Sequence, residues 1–383
     1  MEKDSRKLRV AFLYDDSLDK ADGVCQYVKT MGAWLSAQGH MVIYLVGETK
    51  IRQWAGSPVY SLSKNLRVNF NGNIVNTPLP ANKKNIQRVL AKHELDVLHV
   101  QVPYSPLMAG RVIRQSNPKT AVVGTFHIYP VGFVASLASR LLGLVCGLSI
   151  RRFGTVLSVS PAAAEFAESA FGLKTLPSSN VVEMSHFKSA KAAPKQNHIV
   201  FLGRLVKRKG CMELLAAFKK LHEGLPQATL SIAGSGEQKH RLMKYVADNN
   251  LSSAVKFLGF INEEDKPDLL ASAEIACFPS LGGESFGIVL IEAMAAGSGV
   301  VLGGDNPGYG SVLGDRPESL FNPANASELA AKLEKFLTDR VLAKDLHSWQ
   351  QQEVRRYDIE VVGPQLVSLY ERAIAKTRQK ADN

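Results

Sequence analysis

Residues 282–301 read GGESFGIVLIEAMAAGSGVV: two glycines, a glutamate, seven further residues, then a second glutamate inside an apolar run. Acidic side chains are costly to bury without a partner, so a segment that otherwise looks like core needs a reason to carry two. The preceding CFPS reads as a strand end, LGGESFG as a loop, and IVLIEAMAAG as a helix closed by Gly297. The helix is expected to start at about residue 286, with Glu284 on the loop ahead of it. Phe286 and Gly287 would then offer free amides at the positive end of the helix dipole, where anionic or hydroxylated ligands bind well. Glu292 falls about two turns in, and eight helical positions turn through roughly 80°, so both carboxylates could lean toward one ligand. A carboxylate accepts two bonds at once and so suits vicinal hydroxyls. The same pattern also fits a capping Glu284 and a salt-bridged Glu292.

Working outward, the segment belongs to an alternating series: HIVFLGR (198–204), MELLAAFKKLHE (212–223), ATLSIAGSG (228–236), a helix at 237–249, AVKFLGF (254–260) and EIACFPS (274–280). A similar series fills the first half. LRVAFLY (8–14), MVIYLVG (41–47), DVLHVQ (96–101), AVVGTFH (121–127) and TVLSVS (155–160) read as strands with helical material between them. Within that half, Val24, Tyr27, Val28, Met31 and Leu35 recur at helical spacing before Gly39. Between the halves, FKSAKAAPKQN (187–197) has no periodicity and reads as a linker. Two α/β halves with mostly parallel sheets are expected, with a cleft between them, and ligands should lie beyond the carboxyl ends of the strands. Residues 340–383 look helical and strongly charged.

Three loops fit that placement. FLGRLVKRKG (201–210) puts Arg204, Lys207, Arg208 and Lys209 in one strand-end loop. Guanidinium and ammonium groups together could hold a diphosphate, although a solvated basic loop would read the same. AGSGE (233–237) and DKADGVCQY (19–27) each place glycine ahead of a helix, as a phosphate cradle or merely a tight turn. GTFHIYP (124–130) leaves His127 at a strand end. No D-x-D, H-E-x-x-H or G-x-x-x-x-G-K-[ST] pattern occurs, so there is no case for a catalytic metal or a P-loop.

Composition bounds the class. Of 383 residues, 45% are hydrophobic and 21% charged, which suits two globular domains. Cys25, Cys146, Cys211 and Cys277 stand singly, as reduced thiols do. MEKDSRKLRVAFLYDD is too charged for a secretory signal. A formal charge of +11 favours anionic partners. Nucleic acid is not expected, because no aromatic-plus-basic recognition pattern accompanies the charge.

Taken together, the Gly23 loop, GTFH, FLGRLVKRKG, the GSGE turn and ESFGIVLIE resemble, in that order along the chain and over nearly its whole length, the retaining glycosyltransferases of family 4. That resemblance implies the GT-B fold: two Rossmann-like α/β domains, here 1–190 for the acceptor and 191–355 for the nucleotide sugar, with a helical segment 356–383 returning to the first. It implies that Arg204 and Lys209 grip the donor diphosphate. Glu284 would contact hydroxyls of the transferred sugar, aided by the amides of Ser285, Phe286 and Gly287 at the start of the Ile288 helix. Glu292 would hold the ribose, His127 would stand beside the reacting sugar, and Gly23, Gly234 and Gly236 would admit phosphate. The base would lie near Leu258 to Phe260. One departure is plain: the family commonly has two adjacent glycines in the first loop, whereas here Asp22 precedes Gly23. The implied transfer proceeds with retention, without metal or tightly bound cofactor, and with no assigned nucleophile.

GGESFGIVLIEAMAAG and GTFH are especially similar to the bacterial phosphatidylinositol mannosyltransferases, which implies GDP-mannose as donor, with a UDP-sugar allowed by the same motifs. It also implies a lipid acceptor at an anionic membrane surface and a cytoplasmic, peripheral location. Lys83, Lys84, Arg88 and Lys92 in a helix-like piece fit such a surface. So does VGFVASLASRLLGLVCGLSIRR (131–152), whose Phe133, Leu137, Leu141, Leu144 and Leu148 share one helical face, although an ordinary buried helix reads the same way. The alternatives are a UDP-sugar enzyme acting on diacylglycerol or a soluble or polysaccharide acceptor, and a catalytically inactive nucleotide-sugar-binding protein.

Overall fold

Strand β1 (Arg9–Tyr14) sends Val10, Phe12 and Tyr14 to one apolar cluster and Ala11 and Leu13 to another, and all five are buried. Burial on both faces is the mark of a parallel sheet roofed by helices on each side. The computed structural model describes residues 6–20, 22–70, 73–103, 105–127 and 146–382, with backbone alone for 67–70 and 73–77. The chain divides into two units, Met1–Val181 with Ile359–Asn383, and Val182–Asp358.

In the first unit β1 is followed by β2 (Met41–Val46), β3 (Gln53–Trp54), β4 (Ser57–Ser61), β5 (Asn65–Phe70) and β6 (Asn73–Pro78). Then come β7 (Val97–Gln101), β8 (Ala121–Phe126), β9 (Phe153–Ser158) and β10 (Leu176–Pro177). Among the described residues the sheet order is β10-β9-β8-β7-β1-β2-β4-β3, with β5 and β6 as a separate antiparallel pair. All pairings in the larger sheet are parallel except β3 with β4. Helices Gly23–Ala37 and Ile359–Asp382 cover the Val10–Phe12–Tyr14 face. Helices Lys83–Lys92 and Ala109–Gln115 cover the other. The terminal helix is pinned by polar contacts as well: Tyr370 Oη lies 2.6 Å from His99 Nδ1, Trp34 Nε1 donates to Glu360 at 2.9 Å, and Arg378 reaches Asp96 at 3.4 Å.

In the second unit, β11 (His198–Leu202), β12 (Thr229–Ala233), β13 (Val255–Gly259), β14 (Ile275–Phe278), β15 (Val300–Gly304) and β16 (Leu320–Phe321) form a parallel sheet ordered β13-β12-β11-β14-β15-β16. Its core joins Ile199, Phe201, Leu230, Ile232, Ile275 and Cys277 to apolar residues of helices Cys211–Gly224 and Ala326–Thr338. The strand order reverses direction between β11 and β14 here, and between β1 and β7 in the first unit. Crevices at such switch points open at the carboxyl ends of the strands.

Several expectations shift in detail. The helix expected from about residue 286 begins at Ile288, and that expected at 237–249 is Lys239–Asp248. The polar stretch 187–197 is largely without helix or strand, yet Lys191 and Ala192 donate backbone bonds to Asp268 at 2.6 and 3.0 Å. It is thus stitched to the second unit. Most of the amphipathic segment 131–152 falls outside the described residues; of its end, Leu148 is exposed and Arg152 donates to the carbonyl of Asn117 at 3.0 Å. All four cysteines are free and buried.

Candidate active site

The loops after β11 and β14 flank the switch point of the second unit. After β11, Lys207–Lys209 makes a single tight turn ending in Gly210. After β14, the chain passes through Ser280 and the two glycines before Glu284, and the helix begins at Ile288. The two loops are tied by Leu281 N donating to Arg208 O at 2.8 Å. Gly287, at φ +106, is in a backbone conformation that a side chain rarely adopts, and a Cβ there would meet the Tyr309 ring at 2.6 Å.

Glu284 is the centre of this arrangement. Of its two carboxylate oxygens, Oε1 receives Arg208 Nη1 at 2.7 Å, Lys209 Nζ at 2.7 Å and Ser280 Oγ at 2.8 Å. The side chain is 11% exposed, so the three contacts replace most of the water it has lost. Burial pushes the carboxyl pKa up, but Lys209 and Arg208 outweigh it and hold the group at about 2. Burial in turn lowers the Lys209 ammonium, against the pull of Glu284. The carboxylate neither caps the helix nor stands in its first turn, because Gly287 is the cap residue and Phe286 and Gly287 precede the first turn. The expected 80° relation between the two glutamates therefore does not apply.

Glu292 lies in the second turn of Ile288–Ala296, nearly buried, and pairs with Lys266 Nζ at 3.2 Å. Lys266 also meets Glu263 at 2.8 Å, and although burial opposes it, the two carboxylates raise its pKa. Each motif glutamate thus has its own cationic partners, two for Glu284 and one for Glu292. Lys266 is not among the residues expected from sequence to bind a ligand, and Arg208 is expected only as one of the four cations of the basic loop. Arg208 is visible in the basic loop but not separable from its neighbours there. Lys266 sits in EEDKPD with no local signal at all.

Arg204 is exposed on the loop after β11. Gly234 and Gly236 serve the packing of strand-end loops: a Cβ at Gly234 would lie 1.8 Å from the carbonyl oxygen of Gly203, and one at Gly236 2.3 Å from that of Leu205. Leu205 N donates to Ser235 O at 2.8 Å, which locks the GSG turn onto the basic loop. Phe260, just past β13, is 65% exposed, and Leu258 is exposed too, whereas Phe286 is buried with its ring edge-on to Tyr357 at 5.4 Å. Ser285 and Ile288 are half-buried.

Gly23 and His127 belong to the first unit. Gly23 opens its helix, but Asp22 caps it: Oδ1 accepts from the amides of Val24 at 3.1 Å and Cys25 at 3.0 Å. A carboxylate therefore already occupies the donors that a phosphate would use. His127 is buried at the end of β8, its Nε2 2.6 Å from Gln101 Oε1 and its ring 5.0 Å from that of Tyr27. Burial lowers its pKa to about 3, so the ring is neutral.

Comparison with known proteins places these features in a family. Residues 21–178 match the model described as Glycosyltransferase Family 4, and residues 183–353 that described as Glycosyl transferases group 1. The chain is 30% identical over 375 residues to the phosphatidyl-myo-inositol mannosyltransferase of Mycolicibacterium smegmatis, covering 95% of this chain and 94% of that one. Its likeness to the Mycobacterium tuberculosis protein of the same name is 29% over 378 residues, covering 95% and 97%. Among solved structures, the HepE protein of Anabaena, crystallised with UDP, superposes with a TM-score of 0.76 at 18% identity, covering 95% of this chain and all of that one. Sucrose-phosphate synthase of Thermosynechococcus elongatus gives 0.75 at 21%, covering 96% and 99%. With its two parallel α/β units and a relative matched from end to end, the chain belongs to glycosyltransferase family 4: it is a glycosyltransferase of the GT-B fold.

Proposed function

We propose that the protein transfers a hexose, mannose first among them, from a nucleotide sugar to a membrane lipid such as phosphatidylinositol, with retention and without a metal. The observation that carries the donor half is the Arg208–Lys209–Glu284 cluster at the switch point of the second unit. Two cations fixed by packing can neutralise charge as it builds on a leaving diphosphate, which is the task a metal performs elsewhere. In this reading Arg204 and Lys209 bind the diphosphate. Glu284, with the amides of Ser285 to Ile288, holds the sugar, and Glu292 the ribose. Gly234 and Gly236 shape the loop, and Phe260 stands beside the base. From the first unit, His127 and Gly23 take the roles that the resemblance gives them.

The acceptor half is supported by the named activity of the end-to-end relatives and by surface charge. On helix Lys83–Lys92 the apolar Ile86 and Val89 turn inward while Lys83, Lys84, Arg88 and Lys92 are exposed. Such a basic face attracts anionic headgroups. Among the described residues no helix is long and apolar enough to cross a membrane. A peripheral site on the cytoplasmic face is the location this reading requires.

The deciding experiment offers the protein a panel of GDP- and UDP-sugars with vesicles containing phosphatidylinositol, in the presence of EDTA. Labelled lipid from GDP-mannose alone, with the anomeric configuration of the donor, is the expected result. Transfer from a UDP-sugar, or to a soluble acceptor, replaces the proposed substrates. Donor binding without transfer or hydrolysis favours the binding-protein alternative.

A further inference from the structure

Glu284 is the only carboxylate that the structure places on Arg208 and Lys209 among the described residues, and it meets both through one oxygen. Two cations and one anion leave this cluster with one positive charge in excess, at a site where Lys209 is 17% and Glu284 11% exposed. A diphosphate arriving at the same cations must compete with a carboxylate already there. Arg208 is poised for such an exchange: its Nη1 holds Glu284, while its buried Nε has no hydrogen-bond partner. A buried guanidinium donor left unmade is costly, so an additional acceptor at this point is favoured.

We propose that Glu284 is the resident counter-ion of the diphosphate site and Arg208 an additional diphosphate ligand, so that the site discriminates a nucleotide sugar from the nucleoside diphosphate that remains after transfer. The proposal rests on the donor-site reading given above. In the free enzyme the carboxylate is shared by both cations and offsets one of their two charges. When a nucleotide sugar binds, the diphosphate takes over Arg208 and Lys209, and the displaced carboxylate finds compensation in the hydroxyls of the sugar. Once the sugar has left, the nucleoside diphosphate offers the cations but nothing to the carboxylate. Two anions then face each other in a poorly hydrated site, where like charges repel strongly. Glu284 returns to its cations, and the product is released. One residue therefore serves sugar recognition and product expulsion through the same ion pair.

The sign of one mutational effect separates this from an ordinary positioning role. Calorimetric titration with GDP and with UDP, without sugar, is made on the whole protein and on Glu284→Gln, Glu284→Ala, Arg208→Ala and Lys209→Ala. Loss of the resident anion is expected to tighten the nucleoside diphosphate by about tenfold in both Glu284 variants while weakening the matching nucleotide sugar. Arg208→Ala and Lys209→Ala weaken both ligands. If Glu284 only orients the cations, both of its variants bind the nucleoside diphosphate as weakly as Arg208→Ala does, and the proposal fails. Unchanged affinity in Glu284→Gln, whose thermal midpoint serves as the check on folding, overturns it too. A wild-type protein that binds neither GDP nor UDP sinks the donor-site reading itself, a result distinct from either.

Discussion

Gln101 and His127 meet across neighbouring strands, Oε1 to Nε2 at 2.6 Å, both side chains shut away from solvent. With the amide oxygen as acceptor, Nε2 is the donor of this pair, and β7, together with a side-chain hydrogen bond to Asn180, sets the orientation of the ring. The substitution Gln101→Leu keeps the volume but leaves a buried N–H without an acceptor. The expected cost is about 1–3 kcal/mol of stability. Urea unfolding reads that term, and kcat/KM for transfer is expected to fall as well, since the ring loses its orientation. Full activity in the Gln101→Leu variant would remove His127 from the reaction.

The first unit should weaken in mild acid. An unfolded histidine protonates near pH 6.5, whereas burial lowers His99 and His127 to about 3. Between these limits the unfolded chain binds up to two more protons, so stability falls with pH. Asp15 opposes this. Burial lifts its carboxyl to about 7, so below that value the folded state holds a proton that the unfolded state, with a value of 3.8, does not. These three groups leave a net of one proton, or about 1.4 kcal/mol lost per pH unit between roughly pH 6 and 4. Removing the opposing group in Asp15→Asn is expected to double the slope. Chemical unfolding at a series of pH values reads both, and a flat wild-type profile would contradict the assignment of neutral, buried rings.

Much of the fold is legible in the sequence because its signals are local. β1 reads as a continuous apolar run, and the Gly23–Ala37 helix shows its period in Tyr27, Val28, Met31 and Leu35. The site is legible only in part. Glu284 and Lys209 stand out by residue type and spacing, but Arg208 becomes distinguishable from Arg204 only once the turn at Lys207–Lys209 sets its direction. Lys266 reaches Glu292 across 26 positions of sequence, a pairing that no motif encodes. The Ile288 helix starts later than its sequence suggests because GESFG offers no side-chain cap at the boundary; a glycine at positive φ does that work.

Asp22 offers a test of the first loop. Its carboxylate caps the Gly23 helix with negative charge, so Asp22→Ser keeps a capping oxygen while removing the repulsion toward a phosphate. Stability should change by less than about 0.5 kcal/mol, given the similar ranking of Ser and Asp as caps. The KM for the donor is expected to fall several-fold. A rise in KM would assign Asp22 a direct part in binding.

Lys209→Ala should cost about 10²–10³ in kcat, the usual scale for one electrostatic stabiliser. Arg208 still neutralises Glu284 in that variant, so the thermal midpoint is expected to stay within a few degrees. Parallel loss of folding and activity would show the ion pair to be structural only.

Gly234→Ala and Gly224→Ala make a matched pair. At Gly234, φ is +133 and a Cβ would overlap the Gly203 carbonyl, so destabilisation of about 3 kcal/mol or more is expected together with loss of transfer. At Gly224, the last residue of its helix, a Cβ meets nothing within 4 Å, and the change should be neutral or stabilising by up to about 1 kcal/mol. Denaturant midpoints distinguish the two.

Helix Ile359–Asp382 supplies Val362, Leu366, Tyr370 and Ala373 to the core of the unit that β1 begins. On the ribosome this inverts the usual sequence of events, in which the earlier domain finishes first. Residues 182–358 form an uninterrupted stretch that can complete its sheet while the nascent first unit still waits for a roof. Until synthesis has passed Tyr370, the face bearing Phe12 and His99 is covered by the Gly23–Ala37 helix alone, and the part awaiting the terminal helix stays open to water.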